Sequence, residues 1–547
     1  MPRPRLPDSL NPTSIALATA AWTGTVANWP LWQSLARLPE MGSARGTVFI
    51  IGFMLAVVAL SFALLCVLAT RFTIKPAAAL FVLAAAFGAH FMGTYGVVLD
   101  PTMMTNVLQT DARETRDLLS WRLAAIVLLL AGPPLWALWR VKIAPTGALR
   151  QVARNGIAVI VSIAVVAGIV FALFADLSAT MRNHKHLRYQ INPLNSFFSL
   201  AVLAAQGQAQ PAGPPEPIGL DAAALPRAAD AKPPLLLLVI GETARADHFS
   251  LNGYARPTNA ELAQREVLSF TDVSSCGTST AASLPCMFSH LGRKAFNGGG
   301  RSQENLMDLL QRAGYAVLWL DNQAGCKGLC ARVPSAMAGD AAGGDAHALQ
   351  GLCDAEGECF DEALLHGLDQ RLAALPAERR AKGAVLVLHQ MGSHGPAYFK
   401  RSPKAFKRFL PECTTNVLQQ CEHDALINAY DNSIAYSDHV LAGAIDWLKT
   451  HEGDHAPALL YVSDHGESLG ENNLYLHGLP YAVAPREQTH VPMLVWLPPA
   501  DTRVSCLASQ TGKAWSHDNL FHTVLGLVGV RAKEYQAALD MTTPCRP

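Results

Sequence analysis

Carboxylate and imidazole side chains follow two apolar runs in the C-terminal half of the chain. Glu242 comes shortly after residues 235–240, and Asp464 and His465 come shortly after residues 459–462. A lone Asp there could be a helix N-cap. In an open α/β sheet, however, ligands bind beyond the carboxyl ends of the strands. Two carboxylates and one imidazole suit zinc, and three protein ligands leave the open position that catalytic zinc needs.

Further polar residues fit the same edge. Asp321 and His389 each follow another apolar run, and His394 and His477 lie in the glycine-flanked sequences Gly-Ser-His-Gly and Leu-His-Gly. These two histidines could bind a second metal ion or donate protons to a leaving group. The alternative for either one is an ordinary exposed loop histidine.

A hydroxyl-rich segment at residues 275–286 is the candidate source of a nucleophile. It lies between Cys276 and Cys286, and it could open a helix whose amide groups bind a phosphate. A metal or a base must first activate such a hydroxyl. Chemistry does not choose among four candidates, and an ordinary N-cap turn is the alternative. The candidates are Thr278, Ser279, Thr280 and Ser283.

The elements that must position these side chains alternate between short apolar runs and helical patterns over residues 233–547. This alternation is typical of an α/β domain with a mainly parallel sheet between helices. The predicted strands are 235–240, 315–320, 384–388, 459–462 and 493–496. The predicted helices include 303–312, 424–449 and 517–527.

The composition places the remaining part of the chain in a membrane. Half of the 547 residues are apolar and 16% are charged, against about 25% charged residues in soluble domains. A spanning helix takes about 20 apolar residues, so we expect five transmembrane helices, the first an uncleaved signal anchor. The stretches without Asp, Glu, Lys or Arg are 11–36, 46–70, 76–99, 123–139 and 155–175.

The charge distribution indicates an orientation and excludes one class of function. The chain has 43 basic and 43 acidic residues, so nothing supports nucleic-acid binding. Basic residues in segments 1–10, 71–75 and 140–154 place those segments in the cytoplasm by the positive-inside rule. Five spans then place everything after residue 176 outside.

Ten of the eleven cysteines come after residue 270, in five neighbouring pairs. Such a set is typical of disulfides in an oxidising compartment, here a bacterial periplasm. Zinc-binding thiols are the alternative, but the spacings are irregular and lack a repeated C-x2-C. The predicted disulfides are Cys276–Cys286, Cys326–Cys330, Cys353–Cys359, Cys413–Cys421 and Cys506–Cys545, which leaves Cys66 unpaired.

Two segments connect the membrane part to the catalytic part. Residues 177–205 mix basic, aromatic and apolar residues, as in an interfacial helix. Residues 206–232 are a linker rich in Ala and Pro. The predicted organisation is therefore a transmembrane domain at 1–176, a bridging helix with its linker at 177–232, and a periplasmic catalytic domain at 233–547.

Five long motifs resemble the lipid A phosphoethanolamine transferases, which include the mobile colistin-resistance enzymes and belong to the alkaline phosphatase-like superfamily. The likeness extends over the whole chain. The motifs are GETARADHFSLNGYARPT, SSCGTSTAASLPCMFS, LHQMGSHGPAYFKR, CEHDALINAYDNSIAYSD and YVSDHGESLGENNLYLHG.

The resemblance implies a role for each matching residue. Glu242, Asp464 and His465 match the family's zinc ligands, and Thr280 in CGTST matches its nucleophile, which also binds the zinc. His394 and His477 match histidines that bind substrate or a second zinc. The remaining matches are substrate-contacting residues: Lys327 for the phosphate, and Asn106, Thr110 and Glu114 for the lipid donor.

The implied activity moves phosphoethanolamine from phosphatidylethanolamine to a phosphate of lipid A through a covalent phosphothreonine. A monomer in the bacterial inner membrane would perform it and so confer polymyxin resistance.

Three rivals stay open: transfer to another envelope glycan, hydrolysis by a superfamily hydrolase, and a zinc-dependent membrane sensor. A sulfatase would need a C-x-P-x-R type motif, which neither Cys276 nor Cys286 begins.

Overall fold

The computed structural model of the chain forms two compact units. The first comprises Met1–Met104 and Leu119–Ala205, and the second comprises Thr105–Leu118 and Gln206–Pro547. The segment Thr105–Leu118 thus belongs to the second unit although it lies between two helices of the first. The residues that the structure describes are 9–110, 112–209, 213–297, 302–340, 349–354 and 357–545.

Helices dominate the chain up to residue 209, and one short parallel strand pair accompanies them. The strands are β1 (Ser9–Leu10) and β2 (Lys142–Ile143). The helices are α1 (Pro12–Gly24), α2 (Trp29–Ala36), α3 (Ala44–Leu68), α4 (Ile74–Tyr95), α5 (Pro101–Gln109), α6 (Ala112–Leu118), α7 (Trp121–Arg140), α8 (Ala148–Ala172), α9 (Phe174–Asn183) and α10 (Leu194–Ala209).

Among the described residues, four helices are long and apolar enough to cross a membrane: α3, α4, α7 and α8. A fifth is not confirmed, because the predicted span 11–36 consists of α1 and α2. The 13 residues of α1 reach about 20 Å, short of the ~30 Å hydrocarbon layer. Asn28 and Pro30 lie at the break, where the proline fits the first turn of α2.

The predicted interfacial helix 177–205 is interrupted. Helix α9 ends at Asn183, a 3-10 helix follows at Lys185–Gln190, and α10 begins only at Leu194. Pro193 directly precedes α10 and lacks the amide that a continuous helix would need. The single predicted helix is therefore two α-helices joined by a 3-10 helix and a short turn.

The second unit is built around one sheet and several small strand pairs. Its strands are β3 (Ala223–Ala224), β4 (Pro234–Gly241), β5 (Leu268–Phe270), β6 (Asp272–Ser274), β7 (Ala316–Asp321), β8 (Ser335–Met337), β9 (Ala384–His389), β10 (Ala456–Ser463), β11 (Ser468–Leu469), β12 (Tyr475–Leu476), β13 (Met493–Trp496), β14 (Ala514–Ser516) and β15 (Val530–Arg531).

Helices of very different lengths accompany these strands. They are α11 (Thr280–Met287), α12 (Gly292–Asn297), α13 (Leu306–Arg312), α14 (Leu368–Ala374), α15 (Ala377–Arg380), α16 (His423–Thr450), α17 (Arg486–Thr489), α18 (Val504–Ala508) and α19 (Leu520–Val528).

The main sheet has seven strands in the order β5-β13-β10-β4-β9-β7-β8. The five strands from β10 to β8 run parallel, and β13 is antiparallel to both of its neighbours. All five predicted strands are present, and the mainly parallel sheet is confirmed. The carboxyl ends of β4, β7, β9 and β10 therefore meet at one edge.

Both faces of the sheet are covered. Leu236 and Leu238 on one face pack in a core cluster with residues of α13 and α19. The alternate residues Leu235 and Leu237 are equally buried, as expected for a central parallel strand. Helix α16 contacts β10 and, at 28 residues, is the longest helix that the structure describes.

The five neighbouring cysteine pairs are bonded as predicted, and Cys66 is buried without a disulfide partner in α3. The bridges are Cys276–Cys286, Cys326–Cys330, Cys353–Cys359, Cys413–Cys421 and Cys506–Cys545.

Candidate active site

The register of two parallel strands brings Glu242 and Asp464 together. Strands β4 and β10 are neighbours, and Gly241 pairs with Ser463 at the last position of the ladder. The Asp464 amide donates a hydrogen bond of 3.0 Å to the Gly241 carbonyl. Both carboxylates therefore leave the sheet at the same level, and both are fully buried.

His465 joins these carboxylates in a three-residue cluster whose ligand atoms all lie within 4.8 Å of one another. The His465 Nε2 atom is 3.2 Å from Glu242 Oε1 and 3.4 Å from Asp464 Oδ2. A tetrahedral ion with ligands at about 2.0–2.2 Å has ligand–ligand edges of about 3.3–3.6 Å. The spacing of the donors fits such an ion.

Neighbouring backbone groups orient the cluster toward its centre. The His465 Nδ1 atom lies 2.9 Å from the Gly466 carbonyl, which fixes the tautomer that leaves a lone pair on Nε2. Asp464 Oδ1 accepts from the amides of Thr243 and His465, while Oδ2 has no hydrogen-bond partner in the described part of the chain. A buried carboxylate oxygen aimed at two other ligands is what a bound cation would satisfy.

A positive charge within the cluster would stabilise its two buried carboxylates. Burial, together with the Glu242 carboxylate, raises the pKa of Asp464 to about 7. Burial likewise opposes ionisation of Glu242, but the hydrogen bond and charge of His465 hold the pKa of Glu242 below its ordinary value. Burial disfavours the imidazolium, yet the two carboxylates raise the pKa of His465 to about 10. A divalent cation would replace the proton on Nε2 and offset both carboxylates.

Thr280 is the hydroxyl that faces this cluster. It is the first residue of α11, and its Oγ1 lies 3.0 and 3.1 Å from the two Glu242 oxygens and 3.5 Å from His465 Nε2. The first amides of a helix have no intrahelical acceptor, so Thr280 also lies where an anionic phosphate is stabilised.

The other candidate hydroxyls have different surroundings. Thr278 donates to the Leu479 carbonyl at 2.6 Å, and Ser283 donates to the Asp464 carbonyl at 2.5 Å. Ser279 precedes α11, and its buried hydroxyl has no partner among the described residues. The geometry therefore separates four residues that their chemistry left equal.

The two loop histidines lie beside the cluster. The rings of His477 and His465 are 4.3 Å apart, and those of His394 and His477 are 5.6 Å apart. His477 Nδ1 is 3.2 Å from the buried Glu467 carboxylate. Burial and the nearby His465 lower the pKa of His477 to about 3, and burial also lowers the pKa of His394. Both imidazoles are therefore neutral before an anion binds.

Comparison with known proteins identifies two matching families and several close relatives. Residues 234–530 match the sulfatase family, and residues 57–207 match the phosphoethanolamine transferase EptA/EptB family. Phosphoethanolamine transferase EptA of Escherichia coli K12 is 41% identical over 484 residues, which is 86% of each chain. The Escherichia coli phosphatidylethanolamine transferase Mcr-1 is 37% identical over 539 residues, 96% of each chain.

A solved structure extends the likeness to the full length. The integral membrane lipooligosaccharide phosphoethanolamine transferase A from Neisseria meningitidis superposes with a TM-score of 0.90 at 32% identity. The match covers 98% of this chain and 99% of the Neisseria protein.

The chain belongs to the phosphoethanolamine transferase family. Its catalytic unit has the sulfatase-like α/β fold, and its N-terminal part contains the four membrane-length helices.

Of the three residues predicted to contact the lipid donor, Glu114 lies near a loop histidine. Glu114 Oε1 lies 3.9 Å from His394 Nε2. Thr110 donates a hydrogen bond of 2.9 Å to the Asn106 carbonyl, so these two residues contact each other at the end of α5.

The structure does not bring Lys327 to the cluster. The Lys327 ammonium donates hydrogen bonds to the carbonyls of Ala324 and Gln109, both at 3.4 Å. Lys327 follows Cys326 in the small disulfide loop, with a left-handed φ of 48°. A role in phosphate binding stays a prediction.

Two other polar residues at the strand ends stabilise the surrounding structure. His389 Nδ1 is 3.1 Å from Asp321 Oδ2, which also accepts from the Trp319 indole at 2.7 Å. These contacts join β9 to β7 through His389 Nδ1, while His389 Nε2 is buried and has no hydrogen-bond partner among the described residues.

Two positioning groups of the transferase were not predicted from the sequence. Asp361 is fully buried and accepts hydrogen bonds from the amides of Met391 and Gly392 at 2.7 and 2.8 Å, which fixes the loop before His394. Arg245 pairs with Glu471 at 2.5 Å in the segment that leads to His477. Arg245 lies in the GETARADH motif, which was a usable signal, whereas nothing local distinguishes Asp361.

Proposed function

We propose that this transferase moves phosphoethanolamine from phosphatidylethanolamine to a phosphate of lipid A through a covalent phosphate ester of Thr280. The supporting observation is the position of Thr280 Oγ1, 3.0 Å from Glu242 and 3.5 Å from His465 in a buried cluster. The family relationship supports the substrates, since Mcr-1 is named as a phosphatidylethanolamine transferase and another relative as a Kdo(2)-lipid A phosphoethanolamine 7''-transferase.

We also propose zinc as the metal, held by Glu242, Asp464, His465 and the Thr280 oxygen. Two carboxylate oxygens and an imidazole nitrogen are a donor set that zinc accepts, and the donor spacing fits a tetrahedral ion. When bound, zinc would lower the pKa of the Thr280 hydroxyl and stabilise negative charge that develops on the transferred phosphate.

In the first half-reaction, Thr280 Oγ1 attacks the donor phosphorus. The Glu242 Oε2 atom lies 3.0 Å from the hydroxyl and can accept its proton, while Oε1 faces the proposed metal position. The new bond joins Oγ1 to phosphorus, and the bond from phosphorus to the diacylglycerol oxygen breaks. The free amides at the start of α11 would donate to the phosphate oxygens and stabilise their charge.

We assign the protonation of the departing oxygen to His394 or His477, whose rings lie beside the cluster. Both imidazoles are buried and neutral in the free protein, and an anionic phosphodiester beside them raises their proton affinity. A histidine protonated in this way transfers its proton to the diacylglycerol oxygen. In the second half-reaction a lipid A phosphate oxygen attacks phosphorus, and Oγ1 leaves and regains a proton.

Both proposed substrates are lipids, which is the reason for a membrane anchor on the proposed enzyme. Residues 1–176 would anchor a monomer in the bacterial inner membrane, residues 177–232 would bridge, and residues 233–547 would carry the catalytic site in the periplasm. Five disulfides in the second unit agree with that compartment.

Mass spectrometry of lipid A tests the proposal. Cells that express the intact transferase should gain the phosphoethanolamine mass increment, and cells that express Thr280→Ala should not. Ser279→Ala is the matched control, since it removes the adjacent hydroxyl, and it should retain transfer. Normal lipid A modification by Thr280→Ala would contradict the covalent route. Release of free phosphoethanolamine without a modified acceptor would instead indicate a hydrolase.

A further inference from the structure

Asp117 is a buried carboxylate in α6 with three polar contacts to other parts of the second unit. Its side chain is 5% exposed, and its Oδ2 lies 2.7 Å from Arg401 Nη2. Its Oδ1 pairs with the Lys400 ammonium, and its backbone carbonyl accepts from Asn416 Nδ2 at 2.5 Å. The short helix α6 is therefore anchored at its last turn.

Arg401 connects this anchor to the active-site loop. Its side chain is 8% exposed, and its Nε donates a hydrogen bond of 2.8 Å to the His394 carbonyl. One planar guanidinium therefore binds Asp117 with one nitrogen and the His394 backbone with another. A lysine could not make both contacts in one plane, because its ammonium is a single point charge.

Glu114 lies on the same face of α6 as Asp117, since residues three apart on a helix are neighbours. Its Oε1 is 3.9 Å from His394 Nε2. The contacts thus form a closed path from Asp117 through Arg401 to the His394 backbone, and from the His394 ring through Glu114 back to α6.

We propose that Asp117 is a positioning residue for the lipid donor. Through Arg401 it fixes α6 relative to the loop of His394, so that Glu114 and His394 contact the phosphoethanolamine headgroup together. The identity of the donor rests on the function proposed above. Loss of the Asp117 charge leaves two cations unpaired, one of them nearly buried, and α6 loses its attachment.

The test uses the full-length protein in vesicles, with phosphatidylethanolamine as the varied substrate and diacylglycerol release as the readout. Asp117→Asn should raise KM about tenfold and change kcat less than about threefold. Metal content should stay at the wild-type value, because the cluster is untouched. Asp117→Glu should recover most of the affinity, and the exposed Asp272→Asn serves as a matched control.

A double-mutant cycle with Glu114→Gln tests whether Asp117 acts through α6. If Asp117 positions Glu114, Asp117→Asn should add little to the KM of Glu114→Gln. Additive effects, an unchanged KM, or an equal fall in kcat and thermal stability would each overturn the inference. If Asp117→Asn fails to fold, Lys400→Gln provides the comparison, because it removes one cation paired with Asp117 and leaves the contact of Arg401 with His394 in place; KM should rise, by less than for Asp117→Asn.

The failure of the proposed function is distinguishable from the failure of this inference. A wild-type protein that releases no diacylglycerol, or a Thr280→Ala variant that does, contradicts the function. A wild-type protein that passes both tests while Asp117→Asn matches its KM contradicts only the role of Asp117.

Discussion

Two polar regions lie near His394, the cluster of Glu242 and Asp464 and the surface of helix α6 that carries Glu114. Different interactions hold each of them in place. Glu242 and Asp464 leave adjacent strands at paired positions, so the register of a buried parallel ladder fixes their separation. Glu114 lies on a helix of seven residues that is attached through the ion pairs and the amide contact of Asp117. Backbone pairing thus fixes the positions of Glu242 and Asp464. Contacts between side chains far apart in the sequence fix the position of α6.

Under the proposed function, this difference separates the residues that would perform the chemistry from those that would contact the lipid donor. A rigid cluster suits a group whose donors must stay within a few tenths of an ångström. A helix that is attached only by side chains can shift to fit a lipid headgroup at a smaller cost in free energy than a residue fixed by the sheet. Substitutions in the cluster should therefore lower kcat, and those on α6 should raise KM.

The largest effect is expected from Asp464→Asn. The amide keeps the shape of the side chain but removes a charged ligand, so the metal content of the purified protein should fall close to zero. Charge stabilisation by a metal ion is worth several kcal/mol, so transfer should fall by about 10³-fold. The control is Asp272→Asn, an exposed Asp on β6. Wild-type metal content in Asp464→Asn would contradict the assigned ligand.

Gly392→Ala should have the next largest effect. Gly392 has a φ of 53°, and a Cβ there would lie 2.7 Å from the Glu242 carbonyl and 3.1 Å from its Cβ. The loop and Glu242 must move apart, and a shift of about 1 Å can cost about 10²-fold in kcat.

The control for that substitution is Gly453→Ala, where a Cβ meets no atom within 4 Å. Thermal unfolding should show a lower Tm for Gly392→Ala only. Equal kcat values for the two variants would show that the position of the loop does not matter.

Glu114→Gln should affect binding more than turnover. The substitution removes the charge 3.9 Å from His394 Nε2 and leaves the cluster intact. We expect KM for phosphatidylethanolamine to rise about tenfold with kcat nearly unchanged. A fall in kcat without a change in KM would place Glu114 with the cluster and remove the contrast between the two regions.

The smallest effect on the rate is expected from replacing Cys276 and Cys286 by serine. The pair closes a loop of 10 residues around Thr280, so its loss should lower the free energy of unfolding by about 3 kcal/mol. The remaining folded protein should lose only a few-fold in kcat, because Thr280 keeps its contacts with Glu242. The control pair Cys506 and Cys545, also replaced by serine, should lower stability without changing kcat.

The strands and the clustering of the candidate metal ligands could be predicted because both depend on local sequence. Strands buried on both faces are short apolar runs, and parallel strands place the residues that follow them at one edge. Glu242, Asp464 and His465 met both conditions. The Thr280 hydroxyl did not stand out by its chemistry, and only the family motif and then the three-dimensional contacts separated it from Ser279.

The remaining features depend on contacts between distant segments. Asp117 pairs with Arg401 across 284 positions, and each residue alone resembles an ordinary surface charge. The predicted span 11–36 had the right composition, yet the break at Asn28 and Pro30 divides it into two helices. The lipid-donor residues were assigned by resemblance, and the structure adds a contact with a loop histidine for Glu114.

The state of the cysteines offers a practical route to watching α6 in solution. All eleven cysteines lie in the described part of the chain. Ten of them form disulfides, and Cys66 in α3 is buried. A thiol-reactive spin label or fluorophore would therefore find no accessible target on the native protein. A single cysteine introduced on the outward side of α6 would take up the label alone, and its spectrum would report directly on each departure of that helix from Arg401.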